Sequence, residues 1–446
     1  MPSIDQATGV GTLSAYASAA PWFTGTLVLL VCVNLMLQLW LLSRQARHVR
    51  QHRDAVPAAF AGRIALEAHR RAADYTLAKI RLELLGTAVG TAVLLGWTLL
   101  GGLDLLNSTL RGWIHDGEPG PARALAYQVT LLMSVMLIGG LIDLPLDLMR
   151  HFGVEQRHGF NRMSLGQYAQ DALKGTLLTL VISAPLLAAI LALMGQAGPW
   201  WWLWAFGVLA GFQLLMAVVV PTWIAPLFNR FTPLQDPALE TRVRALMQRC
   251  GFSARELLVM DGSRRSAHAN AYFTGLGQSK RVVFFDTLLK SLSPSEVEAV
   301  LAHELGHFRK RHITQRLVMM LGVSLVLLAV LGSLSSSPAF YLGLGVSPNL
   351  AAPNDGLALT LFTLVAPSAL FLLTPLGAWW SRRHEYEADA FAAEHADRRA
   401  LASALVKLHE DNASTLTPDP WFVRFHYSHP PAVQRLAALG LQHAPA

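Results

Sequence analysis

Seven stretches of the chain are predominantly apolar for about the 20 residues that a helix needs to cross the hydrocarbon core of a bilayer. They run at 22–43, 84–102, 125–149, 176–196, 200–228, 317–337 and 357–380. Polar segments separate them. The fifth stretch is longer than one crossing requires and holds Pro221 and Pro226, so its end is expected to kink or to leave the bilayer. The first is long and has no basic segment ahead of it, which predicts a retained anchor rather than a cleaved leader. Asn34, Gln128, Asp143, Asp147 and Gln213 interrupt the apolar pattern. Polar groups at membrane depth usually face an interior or a water-filled cavity.

The basic residues follow the same segmentation. Residues 1–21 and 338–356 contain no Lys or Arg, and 103–124 contains only Arg111 and Arg123. Every other one of the 36 Lys and Arg falls in 44–83, 150–175, 229–316 or the tail from 381. Seven crossings produce this alternation. The positive-inside rule then puts the N-terminus outside, with 229–316 and the tail in the cytoplasm.

Composition agrees with a chain solvated by lipid. It is 53% hydrophobic and 15% charged, where globular domains carry roughly 25% charged residues. The net charge of +7 therefore reflects topology, and no nucleic-acid partner is expected. Cys32 lies in a span and Cys250 in a soluble segment, so neither a structural disulfide nor a cysteine metal site is expected. The 30 Arg against 6 Lys point by composition to a bacterium with a GC-rich genome, and so to a bacterial inner membrane. The expected organisation is a membrane domain of five spans (1–228), a cytoplasmic insertion (229–316), two further spans (317–380) and a cytoplasmic C-terminal part (381–446).

The chemistry is concentrated in His303-Glu304-Leu305-Gly306-His307. On a helix, residues four apart share a face, so both imidazoles can bind one metal ion. Glu304 lies on the same arc, where it can act as a base on a water at the metal. The helix has a clear start: Ser293 at the N-cap, Pro294 at the first position and Glu296 at the third form a capping box. Arg309, Lys310 and Arg311 follow the motif, so the site is expected at the cytoplasmic edge of the membrane. Catalytic zinc usually takes three protein ligands. The acidic run His384-Glu385-Tyr386-Glu387-Ala388-Asp389 lies on the same predicted side. Glu385 and Asp389 share a helical face, while Glu387 points elsewhere. One carboxylate can bind the metal and the other can accept from a ligand imidazole, and spacing alone leaves open which does which. Residues 271–275 and 281–285 read as two strands around 276–280.

Several motifs in order resemble the type I CAAX prenyl proteases. They are EQRHGFN at 155–161, APLFNRFTPL at 225–234, SAHANAYFTG at 266–275, RVVFFDTLL at 281–289, the HELGH run, SRRHEYEADAFA at 381–392 and HYSHPP at 426–431. The resemblance implies a mainly α polytopic membrane protein, with seven transmembrane helices around an intramembrane chamber and a cytoplasmic gluzincin-type protease domain that contains a small β-hairpin. It implies one zinc ion held by His303, His307 and Glu385. Glu304 would be the general base and Asp389 would orient a ligand histidine. His429 and Arg435 would serve catalysis, and Asn270 would hold the substrate backbone. The implied substrate is a peptide or protein, prenylated or membrane-bound, that loses its C-terminal tripeptide. A quality-control protease of the HtpX type and a non-catalytic metal-binding scaffold are the competing readings. Five spans before Glu304 weigh against the first, and the presence of Glu304 weighs against the second.

Overall fold

The apolar stretches fold as long helices that outrun the membrane at their charged ends. The computed structural model describes residues 6–114, 120–274, 281–349 and 353–441. Among these, six helices are long and apolar enough to cross a bilayer, and a bent pair makes a seventh if it counts as one span. The first four are α1 (Gln6–Gln51), α2 (Leu66–Trp97), α4 (Pro121–Leu148, extended by a π-helical segment to Glu155) and α5 (Leu165–Gln196), with the short α3 (Gly102–Ile114) between α2 and α4. The charged segment 44–83 is therefore largely the continuation of α1 and α2 and not a loop. Helix α6 (Trp201–Val219) passes at Val220–Ile224 into a π-helical segment containing Pro221, then into the single turn α7 (Ala225–Phe228). The prolines thus fall where the regular α-helix gives way to irregular helical turns at the end of the span.

The polar residues inside the spans tie helices together. Asn34 Nδ2 donates to the Ser368 carbonyl at 2.7 Å, the Gly356 amide donates to Gln128 Oε1 at 2.6 Å, and Gln213 Nε2 donates to Ser324 Oγ at 3.1 Å. Asn34 also lines a cavity of about 390 Å³ between α1, α2 and α4, whose polar walls include Gln38, Glu83, Thr87 and Arg150.

After α7 come α8 (Pro237–Arg249) and a four-stranded sheet of β1 (Phe231–Pro233), β2 (Glu256–Met260), β3 (Ala271–Thr274) and β4 (Arg281–Phe285), in the order β1-β2-β4-β3. Strands β3 and β4 are antiparallel, pairing Ala271 with Phe284, as the hairpin reading expects. The connecting residues 275–280 lie outside the described residues. The hairpin is one half of a larger sheet, because β4 also pairs parallel with β2. Strand β3 is left at the sheet's edge.

The helix α9 (Asp286–Ser291) leads to α10 (Pro294–Arg309), which carries the HELGH run, and α11 (His312–Leu334) is the sixth span. Beyond the short α12 (Pro338–Gly343), α13 (Asp355–Phe371) and α14 (Thr374–His395) meet at an angle of 61°. The stretch 357–380 is therefore not one straight span. Pro375, in the first turn of α14, donates no N–H and collides with a helical carbonyl four residues back, so the helix breaks and restarts. The new direction carries Glu385 and Asp389 onto α10. The chain closes with α15 (Arg398–Asp411), α16 (Pro420–His426) and α17 (Ala432–Ala438). One apolar cluster, including Val243, Phe284, Leu301, Leu405 and Leu436, packs the sheet against α8, α10, α15 and α17. A second, including Leu27, Tyr127, Leu191 and Leu361, holds the membrane helices.

Candidate active site

Helix α10 is fixed at its start. Ser293 Oγ accepts from the Glu296 amide at 3.4 Å, and the Ser293 amide donates to Glu296 Oε2 at 2.7 Å, which completes the capping box. Glu296 also accepts from Ser403 Oγ at 2.6 Å and Lys407 Nζ at 2.7 Å, so the cap is bolted to α15. Its carboxyl is nearly inaccessible. Burial pushes its pKa up, but Lys407, Ser403 and Ser293 together hold it below the usual glutamate value. Val297, Leu301 and Leu305 are buried on one side of α10. His303 and His307 face α14 on the other.

The approach of α14 depends on Gly306. A Cβ there would stand 2.9 Å from Ala388 Cα, 3.1 Å from the Ala388 carbonyl oxygen and 3.2 Å from Phe391 Cβ. Only glycine lets the two helices touch at this point. Ala388 is the neighbour of Asp389 and lies three residues from Glu385, so this contact sets the depth of both carboxylates.

The ligand atoms of His303, His307 and Glu385 consequently lie within 4.8 Å of one another, as a group that could hold a metal ion. His303 Nε2 is 3.2 Å from His307 Nε2 and 3.4 Å from Glu385 Oε2, and His307 Nε2 is 3.3 Å from Glu385 Oε1. Glu385 Oε2 is buried and has no hydrogen-bond partner. A cation among these atoms would satisfy it, and the donor set fits a metal. Burial disfavours a charged His303, yet the neighbouring carboxylates of Asp389 and Glu385 raise its pKa to about 9.

Outside this cluster, His303 Nδ1 meets Asp389 Oδ1 at 2.9 Å. Arg435, 6% exposed, donates to Asp389 from Nε at 2.8 Å and from Nη2 at 2.5 Å. Its remaining nitrogen, Nη1, is 3.9 Å from Glu385 Oε2. Arg435 therefore spends two of its three nitrogens locking Asp389. His429 Nε2 is 3.4 Å from Glu385 Oε1, and its side chain is 64% exposed on the opening of the site. Glu304 makes no hydrogen bond or ion pair with any described residue. Burial pushes its carboxyl pKa up against the opposing pull of His303 and His307. A free carboxylate of raised basicity beside the metal group is what a general base requires.

Asn270 heads the edge strand β3 and lines a cavity of about 640 Å³ together with His429, Arg435, Lys79 and Glu83. Glu83 lines the membrane cavity as well, so the two spaces share a wall. Two residues near the ligands escaped the sequence reading. His312 Nδ1 lies 3.0 Å from His307 Nδ1, and Glu387 Oε2 lies 3.1 Å from His312 Nε2. A histidine five places past a ligand has no helical reason to face it, and only the turn between α10 and α11 brings it back.

Two family models divide the chain. One, described as CAAX prenyl protease N-terminal, five membrane helices, matches residues 45–230, and Peptidase family M48 matches residues 233–441. The CAAX prenyl protease 1 homolog of Oryza sativa subsp. japonica is 32% identical over 409 residues, which covers 88% of this chain and 92% of that one. The chain belongs to the CAAX prenyl protease family. CAAX prenyl protease 1 of Saccharomyces cerevisiae is 33% identical over 394 residues, covering 84% of this chain and 86% of its own. The crystal structure of S. mikatae Ste24p superimposes with a TM-score of 0.84 at 28% identity, covering 94% of this chain and 99% of that chain. The chain is thus a multi-pass membrane metalloendopeptidase, and the quality-control and scaffold readings are not favoured.

Proposed function

We propose that this protease is zinc-dependent and removes the C-terminal tripeptide from prenylated proteins, with its active site on the cytoplasmic face. The observation that carries the proposal is the convergence of His303, His307 and Glu385 beside the unpartnered Glu304. Ligands about 2.0–2.1 Å from a tetrahedral zinc stand about 3.3 Å apart. The two imidazole nitrogens are 3.2 Å apart, close to that spacing, and each has a Glu385 oxygen within 3.4 Å: Oε2 for His303 and Oε1 for His307. When bound, zinc supplies Lewis acidity to the scissile carbonyl and makes an attacking water more acidic.

The remaining work falls to the chain. Glu304 takes the proton of the attacking water and returns it to the leaving amine. Asp389, held by Arg435, fixes the ring of His303. His429 and Nη1 of Arg435 stand where donors can meet negative charge developing on the carbonyl oxygen, usually a large contribution to catalysis. The free edge of β3, with Asn270 at its head, can pair with an extended substrate backbone without demanding one sequence. The cavity along Glu83 gives the substrate a path from the membrane interior to the site. In this reading 229–316 and 381–446 act together as the proteolytic part.

The prenyl requirement rests on the similarity to CAAX prenyl proteases, and the cytoplasmic side rests on the segregation of Lys and Arg. The relatives named above are eukaryotic, and a bacterial inner membrane rests on the arginine excess alone. The test uses the purified protein in detergent with two synthetic peptides that end in the same CAAX sequence, one farnesylated and one not. The expected result is tripeptide release from the farnesylated peptide at the higher kcat/KM. Equal cleavage of both would remove prenyl recognition and leave the protease.

A further inference from the structure

Each ligand histidine has a second ring nitrogen that faces away from the metal group. That of His303 is met by Asp389. That of His307 is met by another imidazole: His307 Nδ1 and His312 Nδ1 are 3.0 Å apart. His312 Nε2 in turn lies 3.1 Å from Glu387 Oε2, whose other oxygen accepts from Arg383 Nε at 3.1 Å. His312 is 2% exposed. Its ring is stacked on His384 with centroids 3.9 Å apart and planes 4° from parallel. His384 Nε2 is 3.1 Å from Gln315 Oε1. The imidazole of His312 is thus fixed in position, orientation and surroundings.

Proton counting then fixes the tautomers. A neutral imidazole carries one N–H. The Nε2 of His307 faces His303 and Glu385, so as a ligand it must be bare, and the proton sits on Nδ1. His307 Nδ1 must donate, and His312 Nδ1 must accept. The proton of His312 is then on Nε2, where Glu387 accepts it. One carboxylate near the surface thereby sets the state of two rings in series.

The backbone makes a special turn to achieve this. Arg311 adopts φ 59° between α10 and α11, in the left-handed region. For a residue with a Cβ this conformation is strained. Such conformations persist where the surroundings over-determine them, commonly at functional sites. The turn swings His312 back beneath His307.

We propose that His312, backed by Glu387, is a positioning residue that holds His307 in its metal-binding tautomer and orientation, as Asp389 and Arg435 hold His303. The proposal deepens the metal-site reading and rests on it. Partners of this kind are worth about 10- to 100-fold in metal affinity or activity.

The test measures zinc affinity of the full chain in detergent by competition with a chromogenic chelator, and the absorption spectrum of the cobalt-substituted protein. His312→Ala is expected to weaken zinc binding about 10- to 100-fold and to alter the cobalt spectrum. His312→Asn places an amide oxygen near the position of Nδ1 and is expected to recover most of the loss. Glu387→Ala changes a half-exposed residue and keeps the fold even if His312→Ala does not; it is expected to weaken zinc binding in the same direction. Zinc affinity of His312→Ala or Glu387→Ala within about twofold of wild type, or His312→Asn no better than His312→Ala, would overturn the proposal. Glu385→Ala serves as the separate control: unchanged zinc binding there would sink the metal site itself.

Discussion

Replacing Gly306 by alanine should separate metal binding from stability. The added methyl would meet Ala388 Cα at 2.9 Å and its carbonyl oxygen at 3.1 Å, both backbone atoms that no rotamer change can move. Carbon atoms pack best at about 3.5–4.0 Å, so α14 must withdraw from α10 by about 0.5–1 Å. Overpacking of this kind costs about 1–3 kcal/mol. Alanine returns about 1 kcal/mol of helix propensity inside α10. The net loss of stability is therefore small, about 0–2 kcal/mol. The metal group is less forgiving, because metal–ligand distances tolerate about ±0.2 Å. Ala388 moves with Glu385 and Asp389, so the withdrawal takes away one ligand and the partner of another. Gly306→Ala should lose about 10- to 100-fold in zinc affinity and show a matching fall in kcat. Thermal unfolding of the zinc-free protein should change little. Zinc titration and calorimetry of the two proteins decide the matter. Full zinc affinity in a folded Gly306→Ala protein would refute the claim that this contact sets the depth of the carboxylates.

Other residues carry narrower expectations. His429→Ala should retain zinc and lose about 100- to 1,000-fold in kcat with KM little changed, as removal of an oxyanion donor does; a raised KM at constant kcat would assign it to binding instead. Glu296→Gln should cost about 1.5–3 kcal/mol, since Lys407 loses a charged hydrogen bond at 2.7 Å. Glu296 is held below its unfolded value of about 4.3, so its contribution is complete above that pH and fades as pH falls toward the depressed folded value. Denaturant titrations should show a shallower acid decline in Glu296→Gln than in wild type, and identical slopes would count against the network. Chelation should abolish cleavage and lower the unfolding temperature, by a stability loss of about 4 kcal/mol relative to zinc at 1,000 times its Kd. Added zinc should restore both, and survival of activity after verified zinc removal would contradict the account.

Much of the architecture was legible because lipid imposes a simple rule: about 20 apolar residues per crossing, with charge counted between crossings. The capping box at Ser293 was legible too, since its hydrogen bonds are local in sequence. The pairing of HELGH with Glu385 could be proposed because carboxylates and imidazoles of one site must share a side of the membrane. The break at Leu372 and Leu373 was not anticipated, because a hydropathy pattern stays high through a change of direction and Pro375 sits inside it. Strands β1 and β2 are three and five residues long and owe their form to pairing across the chain, so no periodicity marked them. The role of Gly306 depends on α14 lying against it, a contact 82 residues away in sequence that local pattern does not encode. His312 was hidden by helical spacing, which sends a residue five places on to another face; the left-handed Arg311 overrides that spacing.

The most direct measurement is tripeptide release from a farnesylated CAAX peptide, read by mass spectrometry, with zinc content determined in the same preparations. Wild type, Glu304→Gln and Glu385→Ala are compared. The expected pattern is cleavage with near-stoichiometric zinc in wild type, zinc without cleavage in Glu304→Gln, and neither in Glu385→Ala. Cleavage by Glu304→Gln at the wild-type rate, or an intact peptide after incubation with folded, zinc-loaded wild type, would contradict the account.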